Sequence, residues 1–546
     1  MMKIKYFKVP TALLLCAIAM NQLYSQSGTK DMNNRVEVMI DKEPVIQNSE
    51  KKDYSPIIKE QEVKKEKYDL ESPDKLILVE YSPNQLKAQA AKKDLLEKHQ
   101  HSYIKIGFGS LLQPYAELNY NDIVKEKFTY GLKYTYTMAQ GKLSNQKMNY
   151  HKGGLYADYA ASKQLKMGLN LDYNREVHHY YGYNLNNDAF DDAPSSIRQI
   201  VNHFAGKVYF LNPKKNKLKL DYRQDVGFNY MFTKSGNTEY SINGNTNIAK
   251  QFKQKHFANL LFNFDINKLT YPSIKDSINR NIFRFAADYT FDDDNWSLKA
   301  GFQLAFDGKT TYLFPNLVTE KRLYKHILIF YSAWNRELQK NSYLSLVTKN
   351  PFINDRVEIR NTRVENRVAG FKGSIQNFDY DIRFTNKVAK NFALYVNDTS
   401  DMKRFDVVYD RSTQIINLQL EASYNINQKL KFDLIAGYTV YEALDFIKAW
   451  HMPAFTGNFR CSYLWKEKLY TYIDINGIAG AYARDKNMNA VAIKGAADIN
   501  IGANYQFHKN FSVFLDAKNL AHMKYQNWYL YPQFGANVML GVKFSY

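Results

Sequence analysis

Two cysteines and thirteen prolines among 546 residues leave little for cross-links or chain breaks. One cysteine, Cys16, lies in an apolar N-terminal stretch, and Cys461 then stands alone, so the fold does not rest on an internal disulfide. Its surroundings, "FRCSYLW", make Cys461 a small strand residue rather than a nucleophile. There is no internal apolar run of about 18 residues, which excludes a bundle of membrane helices. A mean hydropathy of −0.51 agrees. Also missing are HExxH, GxSxG, the phosphate-cradling GxxxxGK and any Cys/His cluster with zinc spacing, so no catalytic, cofactor-binding or metal-ligating residue is assigned and an enzyme is not expected. What is abundant is aromatic: 43 Tyr and 34 Phe against 5 Trp. A Tyr-rich, Pro-poor, polar-on-average chain fits many strands with one wet face.

The first residues read as a secretory signal. Lys3, Lys5 and Lys8 form a basic start, residues 11–20 ("TALLLCAIAM") are apolar but too short to span, and Ser25 offers a cleavage site before Gln26. Leu15 stands where a lipoprotein signal needs a small residue, which argues against lipidation of Cys16. This gives a signal peptide over 1–25 and a charged periplasmic segment over 26–100. From residue 27 to 100 the chain carries 14 Lys/Arg and 15 Asp/Glu, the mark of a mostly disordered, solvated linker. Two apolar pieces in it, "VEVMI" (36–40) and "KLILVE" (75–80), are candidate strands for a partner's sheet edge. Residues 82–99 suit a short helix. The linker is nearly neutral, so the formal excess of +20 falls almost wholly on residues 101–546.

From residue 101 onward apolar and polar residues alternate with the strand period. In "LKLDYRQDVGFNYMF", Leu220, Tyr222, Val226, Phe228 and Tyr230 share a face opposite Lys219, Asp221, Arg223, Asp225 and Asn229. "LKMGLNLDYN" and "LKFDLIAGYTV" repeat the pattern, with charges in mid-strand. Runs of about 12–16 residues exceed the 5–6 typical of soluble sheets. Short turn signals fall near residues 125, 163, 214, 253, 293, 325, 377, 427, 467 and 509. Longer polar stretches lie between them. Short turns alternating with long loops mark an outer-membrane barrel. Ten turns flanked by paired strands, plus a first and a last strand, predict about 22 strands, within 20–24. The expected fold is therefore all-β: a transmembrane antiparallel β-barrel over 101–546, in the outer membrane of a Gram-negative-type envelope. Lipid forbids a free edge, so the last strand, "NVMLGVKFSY" (537–546), must pair with the first, near residues 103–112. Val538, Leu540, Val542, Phe544 and Tyr546 are expected to face lipid, and Asn537, Lys543 and Ser545 the lumen.

The C-terminal stretch "AKNLAHMKYQNWYLYPQFGANVMLGVKFSY" resembles the last two strands of TonB-dependent receptor barrels, especially the large Bacteroidetes-type families. Asn519-Leu520, Lys524-Tyr525 and the aromatic end carry the likeness, and "LFPN" (313–316), "NPFI" (350–353) and "AWHMPAFTG" (449–457) resemble mid-barrel and loop signatures of the same group. The resemblance implies a 22-stranded barrel serving solute passage or transport. It also implies assembly by the barrel-assembly machinery, which reads a terminal aromatic. Residues 26–100 do not resemble the family's plug domain, so engagement of TonB is not expected. The alternative is a structural or assembly component that docks periplasmic or lipoprotein partners through 26–100.

Few residues invite site chemistry. His178 and His179 are adjacent, point to opposite faces of a strand and read as rim residues. "NNDAFDD" (186–192) reads as a solvated outer loop rather than a calcium site, and "DDDN" (292–295) as a turn. The basic excess is expected to meet outer-membrane lipids and anionic glycolipid phosphates, not nucleic acid.

Overall fold

The computed structural model describes residues 102–124, 127–182, 196–212 and 219–546. The signal and linker assignments therefore lie outside the described residues, as does the loop 186–192. What is described is a closed sheet of 22 strands, with each strand antiparallel to its chain neighbours. The expected turns near residues 163, 253, 293, 325, 377, 427, 467 and 509 join neighbouring strands at one end of the barrel, while those near 125 and 214 fall partly or wholly outside the described residues; "DDDN" is one of the eight, with Asp293 held by the Lys255 ammonium. Lysines 127, 163, 255, 325, 429, 466, 468 and 509 fall at these turns, against Asp293, Asp294 and Glu467, so this end is basic. The other end carries the longer connections, which among the described residues hold one α-helix, α1 (Tyr343–Lys349), and three short hairpins.

Side chains divide as the alternation requires. Ile104, Ile106 and Phe108 on the first strand and Val538, Leu540 and Val542 on the last are exposed outward, part of an apolar belt that runs around the wall. Such a belt is stable only against lipid. The inner wall is polar and cross-linked. Asn263 donates to Asn245 at 2.6 Å, Asn458 to Asn476 at 2.8 Å and Asn267 to Glu239 at 3.0 Å. Charges along the strands are paired, as in Lys133–Asp172 and Lys166–Asp158, both 2.9 Å.

The barrel closes by pairing Ser102–Gly109 with Asn537–Ser545, from Tyr103↔Ser545 to Gly109↔Met539. Strands here are short, 8 and 9 residues, against 17 for Asp276–Asp292. Gly107 faces Gly541 across this closure, and the buried Phe514 ring lies over both. A methyl group on Gly541 would sit 2.2 Å from the Ile106 carbonyl oxygen and 2.4 Å from Phe514. Lys105 rests its ammonium 3.9 Å above the same ring.

Removing residues 542–546 takes away four of the seven closing pairs and should abolish the heat-modifiable, folded species in electrophoresis. Gly541→Ala should fold but lose about 1–3 kcal/mol, the usual range for overpacking, in denaturant unfolding from vesicles. Normal stability of the alanine variant would show that the closure has slack that the contacts do not indicate.

Candidate functional site

Three long loops, 340–361, 391–412 and 519–536, turn inward and meet over the mouth of the barrel. Each begins from local chemistry. In the first, Ser342 caps α1: its hydroxyl accepts from Ser345 N–H at 3.1 Å, while Ser345 Oγ accepts from Ser342 N–H at 2.8 Å. The helix buries Tyr343, Leu346 and Val347 on one face and ends at Asn350, before Pro351. In the second, Phe392–Asn397 pairs with Phe405–Asp410 as a hairpin. In the third, Asn519 cinches the loop, donating to Met523 O at 3.1 Å and Phe534 O at 3.0 Å.

The three loops share one apolar core. Phe352 stacks on Tyr531 with ring centroids 3.7 Å apart, and Phe405 packs edge-on to Trp528 at 5.6 Å. Around them stand Tyr180, Tyr181, Ile353 and Tyr395, all buried. Inner-wall residues of the opposite strands, Val201, Met231, Leu269 and Tyr271, complete the cluster. Loops from one side of the barrel are thus pressed against the far wall, and together they form a roof.

Tyrosine supplies the polar fastening. Tyr180 donates to Ile353 O at 3.2 Å, Tyr181 to Pro532 O at 3.1 Å, Tyr271 to Val357 O at 3.2 Å and Tyr395 to Leu346 O at 3.3 Å. Tyr409 donates to Glu358 O at 3.0 Å, and Tyr531 to Lys403 O. Each bond ties a ring in one segment to a loop carbonyl in another, and a buried carbonyl left unpaired would be costly. Burial pushes the Tyr181 and Tyr409 hydroxyls up to about 12, and those of Tyr343 and Tyr531 well above their ordinary value, so all four stay protonated donors. Arg404 adds charge-assisted support, 2.9 Å from Asp355 and over the Tyr180 ring.

His451, in the loop 444–454, pins three segments. Its Nδ1–H donates to Tyr395 O at 2.9 Å, and its Nε2 accepts from Tyr529 N–H at 3.2 Å. Only the neutral ring with the proton on Nδ1 satisfies both partners, since a protonated Nε2 would face another donor. Burial pushes its pKa down to about 4, partly offset by the Tyr395 carbonyl.

Among the sequence candidates, His178 and His179 are the last two residues of a strand at the mouth and point to opposite faces, as expected. His178 turns inward, 3.3 Å from Tyr150 Oη and edge-on to Phe352 of the roof, while His179 Nδ1 lies 3.1 Å from Lys147 O. The motifs "NPFI" and "AWHMPAFTG" supply Phe352, Ile353, Trp450 and His451, although sequence alone did not bring them together. The tyrosine surplus is shared between the barrel wall and this roof.

The sequence matches no family model and no curated protein. Solved structures do match. The ferric enterobactin receptor of Pseudomonas aeruginosa aligns with 82% of this chain and 80% of its own, at 10% identity and a TM-score of 0.63. The FrpB iron transporter of Neisseria meningitidis aligns with 83% and 82%, at 13% and 0.65. The siderophore receptor PirA of Acinetobacter baumannii aligns with 82% and 80%, at 9% and 0.63. This is the fold of an outer-membrane β-barrel. At such identities the likeness is one of architecture.

Acid should loosen the roof. The unfolded imidazole takes up its proton near 6.5 and the buried one only near 4, so between these values the open state binds more protons. The His451 contribution is complete above pH 6.5 and is lost as pH falls toward 4, about 3 kcal/mol in all. Protection factors of the amides in 444–454 and 519–536, taken relative to the intrinsic exchange rate at each pH, should fall as pH drops across that window, and His451→Phe should flatten the dependence. Protection that is equally pH-independent in both proteins would refute the neutral pin.

Proposed function

We propose that this chain is a transport barrel of the outer membrane, similar to TonB-dependent receptors, in which the loop roof is the gate. The observation that carries the reading is the interlocking of loops from one side of the barrel with the far wall, above a polar, hydrogen-bonded lumen. A wall of Asn, Tyr and paired charges suits a hydrated path for a polar solute, and a roof held by side chains on loops can open without breaking the ladder. The three matched proteins are described as receptors or transporters, which favours passage over a purely structural role. The docking alternative, through 26–100, draws no support from them.

The reading extends to the rest of the chain. Residues 1–25 act as the export signal and 26–100 as a periplasmic segment; Ser102 begins the first strand of the wall. With no plug-like sequence assigned to that segment, closure falls to the roof, and a TonB-driven pull is not required. Bacteroidetes-type receptors remain the family of reference.

Conductance in planar bilayers tests this. The full-length barrel should pass little current. Phe352→Ala combined with Tyr531→Ala removes the central stack, a loss of about 3–5 kcal/mol per ring by precedent, and should raise conductance at least several-fold. Deleting 27–100 alone should change it far less. A large current from that deletion, with the stack intact, would move closure to the N-terminal segment. Silence in the double variant, with roof amides exchanging freely, would exclude the roof as the gate.

A further inference from the structure

The wall is not paired everywhere. Strand Thr310–Tyr324 is paired from Lys321 to Thr310 with Trp296–Asp307, ending at Asp307↔Thr310. On its other side, pairing with Leu328–Gln339 runs only from Tyr324↔Leu328 to Asn316↔Asn335. Pro315, next in line, has no N–H to give to a ladder. Beyond it Leu328–Gln339 and Thr362–Ile375 stay paired with each other but bend inward. Leu338 is only 3% exposed and packs on Ile282, Ala305 and Phe314 of the inner wall. Its carbonyl accepts from Arg284 at 2.8 Å, Lys340 reaches Asp265 at 2.5 Å, and Arg280 binds Asn341 O and Asn361 Oδ1.

This bend opens a cleft of about 250 Å³ between the two layers, lined by Arg280, Asp307, Tyr312, Arg360, Asn361 and Arg363. Three guanidinium groups meet one carboxylate there, and Asp307 already accepts from Asn361 at 2.8 Å. Arg360 leans on the exposed Glu358 at the rim. Arg363 lies over the Tyr312 ring at 5.0 Å and has no carboxylate partner among the described residues. A half-buried guanidinium without a counter-charge favours an oxyanion, which its fork of donors fits in a bidentate manner. The space is several times the roughly 30 Å³ share of one water, room for a phosphate and the unit that carries it. One residue from Tyr312, Leu313 is 62% exposed on the lipid-facing side, next in the alternation to the cleft.

The geometry points to a binding site for a phosphorylated sugar in this cleft, either the headgroup of a membrane glycolipid or a free sugar phosphate. Arg363 and Arg360 hold the phosphate, Arg280 shapes the floor, and Leu313 lies where the acyl chains of a lipid-borne ligand would begin. The site is independent of the gate and of its opening.

The test uses the full chain refolded into phospholipid nanodiscs free of glycolipid. Probes are a phosphorylated disaccharide glycolipid added to the discs, its dephosphorylated form, and glucosamine 1-phosphate in solution. Binding of a phosphorylated probe should fall at least tenfold in Arg360→Ala/Arg363→Ala, with Arg363→Lys in between, and the dephosphorylated glycolipid should bind no better to the parent protein than to the double variant. Soluble glucosamine 1-phosphate binding as tightly as the glycolipid would identify a free ligand, and binding of the glycolipid alone would identify a headgroup. Equal binding of phosphorylated and dephosphorylated glycolipid, with no binding of glucosamine 1-phosphate, would overturn the proposal, as would full binding by a folded double variant. If the double variant fails to fold, displacement from the parent protein by inorganic phosphate, against chloride at equal ionic strength, decides: no displacement overturns the site.

Discussion

Backbone pairing in lipid is the constraint on which the rest depends. A strand in hydrocarbon that leaves a row of N–H and C=O groups open forfeits several kcal/mol per group, so the sheet must close. Closure here is achieved where it is hardest. The two closing strands are among the shortest of the wall, and in their register Lys105 lies opposite Lys543, a like-charge pair that a ladder ordinarily avoids. The cost is met by aromatic faces. Lys105 sits on the Phe514 ring and near Asp516, and Lys543 lies over Tyr103 at 4.5 Å. The paired glycines beneath Phe514 let that ring approach closely enough to serve both purposes. Sequence, ring packing and closure are one arrangement.

The roof obeys the same rule in a different medium. Loops that enter the mouth bury carbonyl groups that strands would have paired. Tyrosine solves this because its ring fills the core and its hydroxyl reaches outward to a carbonyl one loop away. Phenylalanine would supply the packing and leave the carbonyl unsatisfied, while serine would pair the carbonyl and leave a void. Tyr180, Tyr181, Tyr395 and Tyr531 therefore combine two roles that no smaller or purely apolar residue combines. Such a roof is held by side-chain contacts and not by a ladder, so it is the part of the molecule that can move while the wall stays intact.

This difference also explains what the sequence disclosed. The wall was legible because a strand's faces follow from its own alternation and its turn from a few adjacent residues. Turns such as 376–377 and 466–468 fell where local chemistry put them, and the pairing of Tyr103 with Ser545 followed from the absence of a permissible edge. The roof was not legible. Phe352, Phe405, His451, Trp528 and Tyr531 come from four loops, and no period or spacing connects them. The only trace was the cluster of unusual motifs "NPFI" and "AWHMPAFTG" in otherwise polar loops. The aromatic surplus was visible as a total, but its division between belt and roof depends on which way each loop turns.

The split beside Pro315 tests how far the closure rule reaches. The motif "LFPN" breaks alternation with a residue that cannot donate, and the ladder lets go at the next position. The released backbone is not left bare, because the departing strand pair covers the inner face of its neighbours. Arg280, Arg284 and Lys340 then fasten it to wall acceptors, and Leu338 fills the gap between layers. A barrel can thus give up pairing at its loop end, above the span where lipid demands it, provided that a second layer replaces the lost bonds. That replacement brings arginines into a cleft that a single-layered wall would not have, so the irregularity in the ladder and the charge beside it have one cause.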